Sequence, residues 1–230
     1  MTTTPSARIT FPRGTRLAVI DLDGTLLQGM NAERMFYLHL LAHGHAGFLR
    51  LAGFLLSLFR DTLRLGFRPA LGANARILKD RAPEEVAEWA QAYGRAFLRK
   101  AVPDDLRRKI LDLKEQGCRV VLLSGSLQIL VDQLKDRLQA EVLIGTELEV
   151  AGGRLTGRKT GVFAYGPGKI VALYKRIDPE GIDWAGSWAL ADRISDLPVF
   201  ELVGHPVVVH GDRRLRRLAR DRGWEIVGKR

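Results

Sequence analysis

Short unbroken apolar runs alternate along the chain with longer segments in which apolar residues recur at helical spacing. Runs at 17–20, 119–123, 142–144, 187–191 and 206–209 end in polar or turn residues, and 224–227 offers a last, edge run. A run of this kind reads as a buried strand of a parallel sheet. Helices are expected at 103–115, with Pro103 in the first turn and Gly117 as the stop, and at 127–138. Residues 147–150 and 154–156 flank Gly152-Gly153, which predicts a small hairpin. Strands alternating with helices predict an α/β fold: a Rossmann-like, doubly wound parallel sheet with helices on both faces.

Residues 28–100 break this rhythm, with helical periodicity and almost no strand pattern. Between 48 and 65 the polar or small positions Arg50, Gly53, Ser57, Arg60, Asp61 and Arg64 form one narrow stripe. The rest is apolar, so this segment is expected to bury most of its circumference. Ala82-Pro83-Glu84-Glu85 then opens a fresh helix running to about residue 99. The pattern divides the chain into a flexible tail (1–14), an α/β core (15–27 and 101–230) and an inserted helical cap (28–100). Such a cap would exclude water and select the substrate. Its apolar face has three readings: cap core foremost, then a homodimer contact or an interfacial membrane helix.

Composition narrows the class. With 46% hydrophobic and 27% charged residues, the chain is a globular protein long enough for one α/β core and an insertion. The single cysteine, Cys118, excludes a disulfide framework and fits a reducing, cytoplasmic setting. Residues 1–15 do not have the form of a signal peptide, and the longest apolar stretch, 51–59, is too short to span a bilayer. The net charge of +10 suits an anionic ligand, but its lysines and arginines are interleaved with acids. No nucleic-acid-reading motif accompanies them, so specific nucleic-acid binding is not expected. The arginines of 213–222 alternate with Leu215, Leu218 and Ala219 as a solvated helix face would.

The chemistry concentrates in Asp21-Leu22-Asp23-Gly24-Thr25, directly after the first apolar run. Open α/β sheets bind ligands at the carboxyl ends of their strands. Residues two apart in an extended segment point the same way, so Asp21 and Asp23 can serve one site, and Gly24 lets the chain turn close to a ligand. Paired carboxylates need a cation or a shared proton. An oxygen-rich acidic site suits Mg²⁺, with one carboxylate placed to attack phosphorus and the other to protonate the leaving oxygen. Ser124, with the backbone N–H groups of Gly125 and Ser126, ends the second run and can cradle a phosphate. Lys169 opens a helix, where a cation is unfavourable unless an anion lies near; Lys159 and Lys175 are rivals for its role, and position favours Lys169. Asp192 and Asp196, four apart after another strand, can share a face and complete a metal site, although Asp196 could instead cap the helix that follows. His39, His43 and His45 lack acidic partners and are not expected to bind metal.

These elements, in this order, resemble the haloacid dehalogenase superfamily, and the match runs from about residue 16 to 228. The likeness is closest to its phosphoserine-phosphatase-like branch, subfamily IB, which carries a helical cap between the first and second motifs. Segments similar to that branch include 120–124, 145–150, 153–157 and 195–198. The resemblance implies a Mg²⁺-dependent phosphomonoesterase acting on a small phosphorylated metabolite through an aspartyl-phosphate on Asp21. It makes Asp23 the acid/base, and gives phosphate contacts to Thr25, Ser124, Gly125 and Lys169. Metal ligation falls to Asp21, the Asp23 backbone carbonyl and Asp192, with Asp196 in support. A phosphotransferase, a lipid-linked phosphate phosphatase and a silent phospholigand-binding module are the alternatives on this fold. Arg193 stands where related sequences carry a small residue, and His210-Gly211-Asp212 replaces a more usual Asn-Pro-Asp. Glu33 and Arg34 are present, but Gln28 and Gly29 stand where an acid would be sought for an amino-acid substrate.

Overall fold

The computed structural model describes residues 8–45, 74–228 and, between these stretches, 52, 53, 55, 56, 59, 60 and 63. Its strands are β1 (Arg16–Ile20), β2 (Cys118–Leu127), β3 (Val142–Ala151), β4 (Arg154–Thr160), β5 (Trp188–Ala191), β6 (His205–Val209) and β7 (Glu225–Val227). They form one sheet in the order β4-β3-β2-β1-β5-β6-β7. Every pairing is parallel except β3–β4, the hairpin that turns at Gly152 and Gly153. Both turn glycines have positive φ, which side-chain-bearing residues resist.

The longer helices are α1 (Ala32–Ala42), α2 (Pro83–Tyr93), α3 (Asp104–Glu115), α4 (Gly168–Arg176) and α5 (Arg213–Asp221). The apolar runs are buried on both sides, and their alternate residues feed two cores. Ala18, Ile20, Val120 and Leu122 join α3 residues Leu106, Ile110 and Leu113. Leu17, Val19, Val121 and Leu123 join α4 residues Ala172 and Leu173 and α5 residues Leu215 and Ala219 on the other side. This is the doubly wound architecture expected from the strand–helix alternation.

Two local expectations change. β2 does not stop at Ser124 but continues to Leu127. The helix expected over 127–138 is broken into Gln128–Val131, a tight turn at Asp132–Leu134 and Lys135–Leu138. The reason lies in β3: Thr146 pairs with Leu127, so the sheet extends the backbone past the serines.

α1 and α2 lie between β1 and β2 in sequence, and their apolar faces belong to the same buried cluster as α3. Phe36 packs on Tyr93 with ring centroids 5.5 Å apart. The apolar face read at 48–65 has a different fate: Leu55, Leu56, Phe59 and Leu63 are 53–73% exposed. Burial of most of that circumference therefore does not hold at these positions. Phe48, Leu51, Phe54, Leu58 and Leu65 lie outside the described residues, as do residues 1–7 of the tail. Among the described residues no helix is long and apolar enough to cross a membrane. Ile9 bridges to Ile177 and so lies against the end of α4.

Candidate active site

Asp21 leaves the carboxyl end of β1, its backbone N–H bonded to Leu190 of β5 at 2.9 Å. β5 delivers Asp192 one residue after its end, and a tight turn then carries Asp196 back towards the sheet. Oxygens of Asp21, Asp192 and Asp196 all lie within 4.8 Å of one another. The turn after Asp21 requires Gly24: its φ is +92°, and a Cβ there would stand 2.2 Å from Asp192 Oδ2. Thr25, fully buried, donates its hydroxyl to Asp21 Oδ2 at 3.0 Å and lies 3.4 Å from Asp192 Oδ1.

Lys169 enters from α4 and answers the question its helix-start position raised. Its ammonium sits 2.6 Å from Asp21 Oδ1 and 2.7 Å from Asp196 Oδ1, almost wholly out of solvent. Burial pulls this ammonium down, but Asp21 and Asp196 more than offset it and leave its pKa raised. Burial raises the Asp21 carboxyl, with Lys169 opposing and Asp196 and Asp23 adding to it. Asp192 is pushed up to about 6 by burial, with Arg193 opposing and Asp196 adding. Three carboxylates thus face one buried ammonium, a surplus of negative charge that a divalent cation would relieve. Asp196 makes no side-chain cap to the helix after it, so its ion pair with Lys169 accounts for it better than capping.

Asp23 points to a different set of groups. Its Oδ2 accepts the hydroxyls of Ser124 at 3.0 Å and Ser126 at 2.7 Å, and its Oδ1 accepts the Ala32 N–H of α1 at 2.6 Å. The sequence points to Ser126 only for its backbone, yet its hydroxyl is the shorter contact. Its N–H is taken by the Ser124 hydroxyl at 3.0 Å, so in this arrangement that donor is not offered to a phosphate. Gly125 packs against Phe163 and the Ala164 carbonyl. A signal for Ser126 was available: i and i+2 of an extended strand share a face.

Lys159, the rival of Lys169, lies elsewhere. It pairs with Glu33 at 2.8 Å, both side chains nearly buried, and Tyr37 donates to Glu33 at 2.6 Å. His39, His43 and His45 form a ring stack with Trp89, without an acidic residue in the stack. Asp212 caps α5 through the Leu215 N–H and also accepts the Ile194 N–H, tying the His210-Gly211-Asp212 turn to the Asp192 loop.

A cavity of about 480 Å³ opens beside the carboxylates, bordered by Gly24, Gly29, Tyr165, Asp192, Arg193 and His210. A larger hollow of about 610 Å³ lies at the amino-terminal ends of β5 and β6, around Trp188 and His205. That end of the sheet is remote from the carboxylate cluster, and the hollow's Arg222 and Glu225 are engaged in ion pairs. The smaller cavity is the one that adjoins reactive groups.

Comparison with known proteins points to one family. Residues 18–201 match the family model of the haloacid dehalogenase-like hydrolases. A phosphoserine phosphatase of Mycobacterium tuberculosis is 28% identical over 221 residues, covering 92% of this chain and 70% of that protein. A histidinol-phosphatase of Neisseria meningitidis is 23% identical over 217 residues, covering 92% of this chain and 97% of its own. The solved structure of a protein of unknown function from Bordetella pertussis superposes with a TM-score of 0.78 at 23% identity, covering 94% of this chain and 99% of that one.

Proposed function

This chain belongs to the haloacid dehalogenase-like hydrolases, and we propose that it is a Mg²⁺-dependent phosphomonoesterase acting on a small phosphorylated metabolite. The observation that carries the reading is the buried Lys169 ammonium shared by Asp21 and Asp196, with Asp192 in the same oxygen cluster. Hard carboxylate oxygens in this number fit Mg²⁺. Asp21 and Asp192 would hold it with the Asp23 backbone carbonyl, and Asp196 would support the site through Lys169. The bound ion would neutralise the surplus charge and polarise the phosphoryl oxygens.

In the proposed chemistry an Asp21 carboxylate oxygen attacks phosphorus, and the ester oxygen leaves with a proton from Asp23. A water then gives its proton to Asp23 and attacks the aspartyl-phosphate, returning the Asp21 carboxylate and releasing inorganic phosphate. Lys169 restrains Asp21 and screens its charge against the incoming phosphate, while Thr25 orients its other oxygen. Ser124 and Ser126 fix the direction of Asp23. Ser124, Gly125, Thr25 and Lys169 are the proposed phosphate contacts. Residues 28–100 would cap the site and select the alcohol. The relatives act on different alcohols by name, so the family likeness supports the ester class rather than one metabolite.

The test is phosphate release from p-nitrophenyl phosphate by wild type and Asp21→Asn, with Mg²⁺ or with EDTA. Mg²⁺-dependent release that disappears in the variant supports the proposal. Equal release by both proteins would remove Asp21 from the chemistry.

A further inference from the structure

We propose that Arg193 reads a second anionic group on the leaving alcohol, so that preferred substrates are phosphomonoesters also bearing a carboxylate or a second phosphate. The inference rests on the phosphomonoesterase reading and narrows its substrate class.

Among the described residues, Arg193 is the only lysine or arginine bordering the cavity beside the carboxylate cluster. Its side chain is 58% exposed, and its contact is long: Nε lies 3.4 Å from Asp192 Oδ2. Among the described residues it has no other polar partner, which leaves the two terminal nitrogens of the guanidinium without acceptors. That terminal pair matches the two oxygens of a carboxylate or phosphate.

The neighbouring charges do not compete for this role. Lys169 sits at the phosphoryl end, paired with Asp21 and Asp196, and does not border the cavity. Asp212, the other carboxylate on the cavity wall, already accepts two backbone N–H groups, from Ile194 at 3.0 Å and Leu215 at 2.9 Å. The first of these bonds also holds the residue next to Arg193, so the guanidinium springs from an anchored backbone. Gly24 and Gly29 line the same space without side chains, leaving room between the carboxylate cluster and the guanidinium. A phosphoryl group held near Asp21 would therefore extend its alcohol through a cavity whose one fixed positive charge, among the described residues, is Arg193. The competing role is a plain counter-charge to Asp192. It predicts a loss indifferent to the substrate's own charge, and that difference can be measured.

The experiment compares D-3-phosphoglycerate with glycerol 3-phosphate, which differ only in carboxylate against hydroxymethyl. Both are assayed with Mg²⁺ on wild type, Arg193→Gln and Arg193→Lys, with p-nitrophenyl phosphate as the common reference. Wild type is expected to favour the carboxylate ester through a lower KM. Arg193→Gln should cut that preference by about 10-fold or more, the scale of one charge-assisted hydrogen bond, and Arg193→Lys should keep part of it. An equal loss on both esters, or no preference in wild type that hydrolyses p-nitrophenyl phosphate, overturns this inference alone. No Mg²⁺-dependent turnover of any of the three esters overturns the phosphomonoesterase reading, and this inference with it.

Discussion

The Asp23 carboxylate accepts the backbone N–H of Ala32, at 2.6 Å, across the boundary between the strand-end loop and α1. Ala32 is the first residue of that helix, so the proposed acid/base takes its direction partly from the segment that precedes the rest of the core.

A backbone substitution isolates this contact. Proline is tolerated at the first position of a helix, and Asn31 before it already has the extended conformation that proline demands. Ala32→Pro should therefore keep α1 while deleting the donor to Asp23. We expect kcat to fall about 10-fold or more on an alkyl phosphate, the scale of general acid help. p-Nitrophenyl phosphate should suffer less, because its leaving group needs no proton. Circular dichroism checks the fold, and equal losses on both esters would contradict the role given to Asp23.

Gly24→Ala should lower activity without unfolding. The added methyl meets the Asp192 carboxylate, and the positive φ is strained for any side chain. The expected signature is a weaker apparent Mg²⁺ affinity, measured by metal titration of activity, with a cooperative thermal transition retained.

Lys169→Met leaves Asp21 and Asp196 facing each other without their cation. Removing one member of a buried ionic set costs about 3–5 kcal/mol. Denaturant unfolding in chelator should show that loss, and activity should vanish. Lys159→Met should be destabilising by a similar mechanism, since Glu33 would stay buried without its ammonium. Retained stability in Lys159→Met would mean that the Glu33 pair is not held as described.

Metal-free stability should depend on pH in a defined direction. Burial lifts Asp192 from 3.8 to about 6, so the folded protein binds a proton that the unfolded chain releases earlier. Stability rises with pH only where the unfolded state binds more protons. Here the folded state does, so the contribution is full below pH 3.8 and is lost as pH rises through about 6. In EDTA, Asp192→Asn should gain melting temperature relative to wild type between those values, and Mg²⁺ should stabilise wild type most above pH 6. A flat difference between the two proteins across that range would contradict the burial of Asp192.

The fold class was legible because its information is local. Apolar runs of strand length, helical spacing and the glycine pair at 152–153 are properties of neighbouring residues, and they place β1, β2, β5 and β6 within a residue or two. The far end of β2 was the exception: Ser-Gly-Ser, which reads as a turn, stays within the strand because its flanks Leu123 and Leu127 both pair with β3 across a register shift. The apolar positions at 55, 56, 59 and 63 show the opposite limit, since periodicity gives a face but not what lies opposite it.

What the sequence determined by itself was a parallel α/β sheet with carboxylates at its strand ends, because strand period and turn chemistry act over a few residues. Sequence position favoured Lys169 over Lys159, but only tertiary structure gave each its partner, carboxylates 148 and 126 positions away respectively. Tertiary structure also assigned Asp196 to an ion pair instead of a cap, turned Ser126 onto Asp23, and set Arg193 on the cavity wall. Those choices depend on strand order and on how helices seat against the sheet, and residues that far apart meet only once the whole core has packed.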